Sequence, residues 1–208
     1  VNNFVQSPVS ENLIKIALAK VEKDIKQADL VVLSDFNYGM LQQRLVDEVI
    51  KCAKSNETLV VADSQSSSQV GDISRFQGAT LITPTEREAR LALQNFDDGL
   101  VALAEKLRLK VGAKYVFVTL GSEGVLVHTS KGSPSETSSW QTDRLPAMNM
   151  SLKDPAGGGD AMLIVSSLAL ASGASVWEAA YLGSIGAACQ VGRVGNIPLT
   201  LDEVLTAI

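Results

Sequence analysis

Apolar positions along the chain recur with two different spacings, and the switches between them mark the elements. Over residues 11–28, Leu13, Ala17, Val21 and Ile25 follow the 3.6-residue period of a helix that Ser10 can cap. Leu30-Val31-Val32-Leu33 is a short unbroken apolar run, the mark of a strand buried on both faces. A second helix is predicted over 41–55, with Leu45, Val46, Val49 and Ile50 on one side, and further buried strands over 58–62 and 80–82. Thr83-Pro84-Thr85-Glu86 reads as a capping box with proline at the first helical position, ahead of helices over 85–93 and 99–111. A fourth strand over 115–119 meets the turn Gly121-Ser122-Glu123-Gly124 and a hairpin partner over 125–128. Residues 64–72, with Ser66-Ser67-Ser68, and 130–139 are polar enough to be loops. A strand-like approach over 147–152 leads to Asp154-Pro155-Ala156-Gly157-Gly158-Gly159, which opens a helix running to Ser172. A long helix over 176–191 follows, and Thr200-x-x-Glu203 caps a short terminal one.

Helix and strand alternate almost throughout, and the strands lack polar alternation. The expected fold is therefore α/β, a three-layer αβα arrangement with a mostly parallel sheet, helices on both faces and right-handed crossovers. No internal repeat or long linker divides residues 1–208, which read as a single domain. In such sheets ligands bind beyond the carboxyl ends of the strands. The residues there are Ser34-Asp35-Phe36-Asn37-Tyr38-Gly39, then Asp63, then Thr85 and Glu88, then the 121–124 turn, and finally 154–160. Carboxylates, glycines and hydroxyls gather at one rim.

Composition removes several alternatives. A chain of 208 residues, 46% hydrophobic and 20% charged, is rich enough in apolar residues to build a core. The net charge of −5 argues against a nucleic-acid partner. No apolar stretch approaches membrane-spanning length, because 162–171 is interrupted by Ser166 and Ser167, so no membrane partner is expected. Cys52 and Cys189 lie far apart outside any C-x-x-C pair, which excludes a zinc knuckle and a redox dithiol. They read as core thiols of a reducing, cytoplasmic compartment. His128 is the sole histidine, so multi-histidine metal sites are excluded, and its hairpin strand suggests a surface or half-buried structural role. The first residue is Val1, which fits a processed chain or a piece of a longer one, and 1–4 have neither a basic start nor an apolar signal core.

The glycine run carries the sharpest chemical signal. Three glycines at a helix start offer unblocked amides where the helix dipole is positive, so an anion can be held without lysine. Asp160 follows in the first turn, placed to accept a proton from an attacking hydroxyl. No G-x-x-x-x-G-K-[ST] segment exists, and the spacing does not fit G-x-G-x-x-G. The plainer reading is a loop whose Asp160 merely complements the helix N-terminus.

Asp154-Pro155-Ala156-Gly157-Gly158-Gly159-Asp160-Ala161 resembles the D-[TP]-x-G-A-G-D signature of ribokinase-like (PfkB-type) carbohydrate kinases. Val118-Thr119-Leu120-Gly121-Ser122-Glu123-Gly124 resembles that family's nucleotide-site turn, and Thr83-Pro84-Thr85-Glu86-Arg87-Glu88 its T-P-N-x-x-E segment. Residues 33–39 and 190–195 look most like the heptose-phosphate kinases within the family. The resemblance covers 30–208 and implies ATP-dependent phosphoryl transfer to a hydroxyl of a sugar or sugar phosphate. It makes Asp160 the base and gives the amides of Gly157, Gly158 and Gly159 to the γ-phosphate. It lays Thr119, Gly121, Ser122, Gly124 and Asp154 along ATP; Asp35 and Asp63 read either as facing the acceptor or its phosphates or as plain strand-end turn residues. Glu88 and Thr85 would organise Mg²⁺, through water.

Departures from the pattern are equally specific. Thr85 replaces asparagine, Tyr38 stands where S-D-Y-x-K-G has lysine, and Asp63-Ser64-Gln65 stands where D-P-K is usual. The family's first strands and lid have no counterpart here. These changes define the alternative, a non-catalytic kinase-like nucleotide-binding or assembly module. A truncated sheet would also expose an apolar edge, which makes a homo-oligomer one expectation. Glu86 is read as the structural member of the capping box, Arg193 as solvated, and Trp140 and Trp177 as packing residues.

Overall fold

In the computed structural model, which describes residues 9–65, 71–131, 140–149, 151–195 and 197–208, six strands form one sheet whose order follows the chain. They are β1 (Leu30–Asp35), β2 (Leu59–Ser64), β3 (Leu81–Ile82), β4 (Tyr115–Thr119), β5 (Val125–Ser130) and β6 (Trp140–Leu145). The pairings from β1 to β4 are parallel, and β4–β5 and β5–β6 are antiparallel. Among the described residues there are seven α-helices: α1 (Glu11–Asp24), α2 (Gln43–Ser55), α3 (Glu86–Leu93), α4 (Leu100–Val111), α5 (Gly158–Ala171), α6 (Val176–Val191) and α7 (Leu201–Ala207).

The strand period of two explains the layering. Val60, Ala62, Ile82, Val116 and Val118 point to one core, which α1 to α4 close with Ile14, Leu45, Val46, Ala89, Leu103 and Leu107. Their neighbours Val61, Leu81 and Phe117 point the other way, onto Met162 and Leu163 of α5 and Ala179 and Ala180 of α6. Strands with apolar residues on both faces therefore read as unbroken runs. The expected three-layer fold is present, with three of its five strand pairings parallel.

The antiparallel end depends on one turn. Leu120 N–H donates to the Gly124 carbonyl at 2.8 Å, and Gly124 has φ +94°. A methyl there would also strike the backbone of Leu145 and Pro146, so glycine is required twice over.

Several local expectations need correction. The capping box is formed by Thr85 and Glu88, two residues later than Thr83 and Glu86, and Glu86 instead pairs with Arg90 at 2.7 Å. Residues 147–152 form no strand among the described residues. The partner of β5 is β6, whose sequence Trp-Gln-Thr-Asp-Arg-Leu is mostly exposed and carries no apolar run to signal it. Strand β2 extends through Asp63 and Ser64, and β5 through Ser130. His128 is not at the surface: it is fully buried, its Nε2 2.7 Å from Glu105 Oε2 and its Nδ1 2.6 Å from Thr142 Oγ1. Arg193 is bound rather than solvated, donating to Glu203 at 2.9 Å and to Gln190 at 2.7 Å. Cys52 and Cys189 are free and only partly buried. The serine run 66–68, most of the 130–139 loop and residues 1–4 lie outside the described residues.

Candidate active site

Strand ends and one helix start converge at the carboxyl rim of the sheet. Asp63, one residue before the end of β2, has 8% exposure, and Thr83 Oγ1 lies 3.5 Å from its Oδ1. Burial, then the charges of Glu88 and Asp160, push the Asp63 carboxyl up to about 7, against the opposing pull of Ser64 N–H and Thr83. Glu88 is itself 8% exposed in the first turn of α3. Its Oε2 accepts from Thr85 N–H and Thr85 Oγ1, both at 2.8 Å, while its own N–H donates to Thr85 Oγ1 at 3.2 Å. The two residues assigned to a metal from sequence are thus first of all partners in a helix cap.

Helix α5 starts on Gly157, whose φ of +78° turns the chain into the helix at a conformation L side chains resist. The approach is pinned by Asp154, whose Oδ1 accepts from Ala156 N–H at 2.9 Å and Oδ2 from Gly195 N–H at 3.1 Å. These two amides, Ala156 foremost, hold its carboxyl below the usual range. Oδ1 therefore closes the turn into the glycine run, and Oδ2 ties that loop to the segment before α7. Gly158 N–H donates weakly to Pro155 at 3.3 Å, and the missing side chain of Gly159 would face open space.

Two hollows meet at this helix start. One, of about 340 Å³, is lined by Thr85, Thr119, Gly121, Ser122, Gly124, Gly158 and Gly159, with Asn149 and the α6 residues Ala187, Ala188 and Val191 as its far wall. The other is a groove of about 1070 Å³ that Gly157 and Asp160 share with apolar residues such as Ile164, Leu168 and Leu205. The first turn of α5 thus contributes glycines to one hollow and the carboxylate to the other. Asp160 Oδ1 accepts from Gln65 Nε2 at 3.0 Å.

Asp35, read from the sequence as facing the acceptor or as a turn residue, has close protein partners. Its Oδ2 accepts from Arg75 Nη2 at 2.5 Å in a largely buried ion pair, and its Oδ1 accepts from Asn37 N–H at 2.9 Å. Sequence reasoning missed Arg75, Asn149 and the α6 wall, and flagged Gln65 only as a lost lysine. No short-range signal marks them, since each acts across a long chain separation.

The layered sheet thus carries, at its carboxyl rim, a glycine-rich helix start with an acid in its first turn. The profile of the pfkB family of carbohydrate kinases matches residues 3–202, and the chain belongs to that family. It is 32% identical over 206 residues to the bifunctional protein HldE of Paramagnetospirillum magneticum, covering 98% of this chain and 40% of that one. The HldE of Desulfatibacillum aliphaticivorans is 32% identical over 198 residues, covering 94% and 38%. The chain thus spans about two-fifths of the length of these relatives. Among solved structures, phosphofructokinase-2 of Escherichia coli in complex with potassium superposes with TM-score 0.78 at 17% identity, covering 96% of this chain and 62% of that one. Ribokinase of Arabidopsis thaliana complexed with ribose and ATP gives 0.71 at 18% identity, covering 96% and 59%. These two likenesses establish the ribokinase-like fold.

Proposed function

We propose that the chain carries out ATP-dependent phosphoryl transfer to a hydroxyl of a sugar or sugar phosphate, with a heptose-phosphate type of acceptor. The observation that carries this reading is the first turn of α5, where glycine amides border the 340 Å³ hollow and Asp160 borders the neighbouring groove. ATP would lie along Thr119, Gly121, Ser122 and Gly124, with its terminal phosphate at the amides of Gly158 and Gly159. The acceptor would enter from the Asp160 side. Segments 33–39 and 190–195, and the relationship to HldE proteins, support the heptose-phosphate choice.

In the reaction Asp160 takes the hydroxyl proton as the oxygen bonds to the γ-phosphorus, and the bond to the β,γ-bridging oxygen breaks to release ADP. The helix N-terminus faces the charge that spreads over the transferring group, and such preorganised dipoles supply much of the rate. Asp154 acts indirectly, by holding the glycine loop in shape. Asp35 keeps its ion pair with Arg75 and shapes the loop after β1.

Mg²⁺ suits the chemistry of this rim. Burial first, and then the neighbouring charges of Glu88 and Asp160, raise Asp63 to about 7, and a divalent cation would relieve the electrostatic part of that rise. Among the described residues no group of three or more acids or histidines is arranged as a metal cage. Glu88 and Asp63 would therefore hold the ion through water, leaving direct ligation to the phosphates. Once bound, the ion neutralises charge on the phosphates.

Asp160→Asn is expected to abolish transfer to every accepted sugar while Mg-ATP still raises the melting temperature. Ligand at about 100 times its Kd adds about 2.7 kcal/mol to stability, a readily measured shift. Sugar phosphorylation surviving in Asp160→Asn overturns the assignment of the base. A thermal shift with no turnover on any sugar would favour the non-catalytic module.

A further inference from the structure

Asp160 is held by a partner 95 residues away in sequence, the side-chain amide of Gln65. We propose that Gln65 is a positioning residue for the phosphoryl-transfer step: its Nε2–H fixes Oδ1 of Asp160 and leaves Oδ2 free to meet the acceptor hydroxyl. The proposal rests on the reading of Asp160 as the base.

The geometry makes Gln65 a firm anchor. Its backbone N–H donates to the Asp35 carbonyl at 2.9 Å, and its carbonyl accepts from Asn37 Nδ2 at 2.6 Å. Asn37 is held in turn, at φ +59°, by its N–H bond to Asp35 Oδ1, and Asp35 is locked by Arg75. Arg75 Nη2 also reaches the Leu41 carbonyl at 2.7 Å. The amide that touches Asp160 is therefore wired to a buried ion pair at the end of the neighbouring strand. A carboxylate has a broad, nearly two-fold torsion about its last bond, so one directional donor is enough to select its orientation. The chemistry of the donor also matters. An ammonium in this place would stabilise the carboxylate and weaken it as a base, whereas a neutral amide orients it without neutralising it.

The test uses Gln65→Leu, Gln65→Glu and Asp160→Asn in the same chain, with kcat, KM for ATP and the pH profile of kcat measured on the best accepted sugar. Gln65→Leu is expected to lower kcat about tenfold, the scale of one hydrogen bond to a charged group, with KM for ATP unchanged. Gln65→Glu keeps the shape but sets a second carboxylate against the first, so the acid limb of the kcat profile should move to higher pH. Damage to the fold alone would not move that limb. In the ¹⁵N-labelled chain the side-chain NH₂ signals of Gln65, assigned by their loss in Gln65→Leu, should shift in Asp160→Ala whether or not any sugar is turned over. If Asp160→Asn is inactive while both Gln65 variants keep the parental kcat and pH profile, the positioning role falls and the base stands. Unmoved NH₂ signals in Asp160→Ala also sink the positioning role. Activity retained in Asp160→Asn would instead overturn the base itself.

Discussion

Replacing Asp63 with asparagine should stabilise the protein, and the gain should grow with pH. The folded state raises this carboxyl from 3.8 to about 7, by burial first and then by Glu88 and Asp160. A carboxyl with a raised folded value binds its proton more tightly in the folded than in the unfolded chain. Below the unfolded value both states are protonated and nothing is lost; as pH climbs towards 7, the unfolded chain ionises first and stability drains away. A shift of about three pH units corresponds to about 4 kcal/mol, of which about 3 kcal/mol falls between pH 5 and the plateau above pH 7. Asparagine cannot ionise, so Asp63→Asn escapes this loss. Urea unfolding of both proteins at pH 5 and pH 8, with a chelator present, should show the difference in stability widening in favour of Asp63→Asn by that amount. His128 acts over a similar span with the opposite sign. Burial chiefly depresses its value, so its contribution is lost as pH falls below about 6.5. Subtracting the two profiles cancels it. A pH-independent difference between Asp63→Asn and the parent would refute the electrostatic account of the rim.

Glu105→Ala should be far more damaging than an ordinary surface change. It strips acceptors from Arg108, which is fully buried and held at 2.7 and 2.9 Å, and from His128 at 2.7 Å. Leaving a buried charge without its partner costs about 3–5 kcal/mol, readable as a lowered urea midpoint at unchanged slope. Gly124→Ala places a methyl against the Leu145 carbonyl at a positive φ, and should cost about 2 kcal/mol or more by the same assay. A Gly124→Ala protein within about 0.5 kcal/mol of the parent would show that the β4–β5 turn tolerates a side chain.

Elements whose identity depends on local pattern were legible in the sequence, and those that depend on distant partners were not. The runs at 30–33, 58–62 and 115–119 announced buried strands because apolar residues are needed on both faces. The glycines before Asp160 announced a helix start, and α5 begins there. β6 was missed because an exposed strand needs no apolar run: its pairing with β5 is written in backbone bonds. The capping register slipped because Thr83-x-x-Glu86 and Thr85-x-x-Glu88 satisfy the same pattern, and packing chose the second. The same separation hides Arg75 from Asp35 and Gln65 from Asp160. His128 read as a surface or half-buried residue, because full burial of such a group is recognisable only beside the acid that pairs with it.

Strand order that coincides with chain order has a consequence for the birth of the molecule. During synthesis every new ribbon emerges beside the one just completed, so docking proceeds by addition at a single growing side. Each addition loops out only the connection to the preceding strand, which keeps the entropic toll of assembly low. The glycine-rich turn and its acid arrive after all six of these strands have been made.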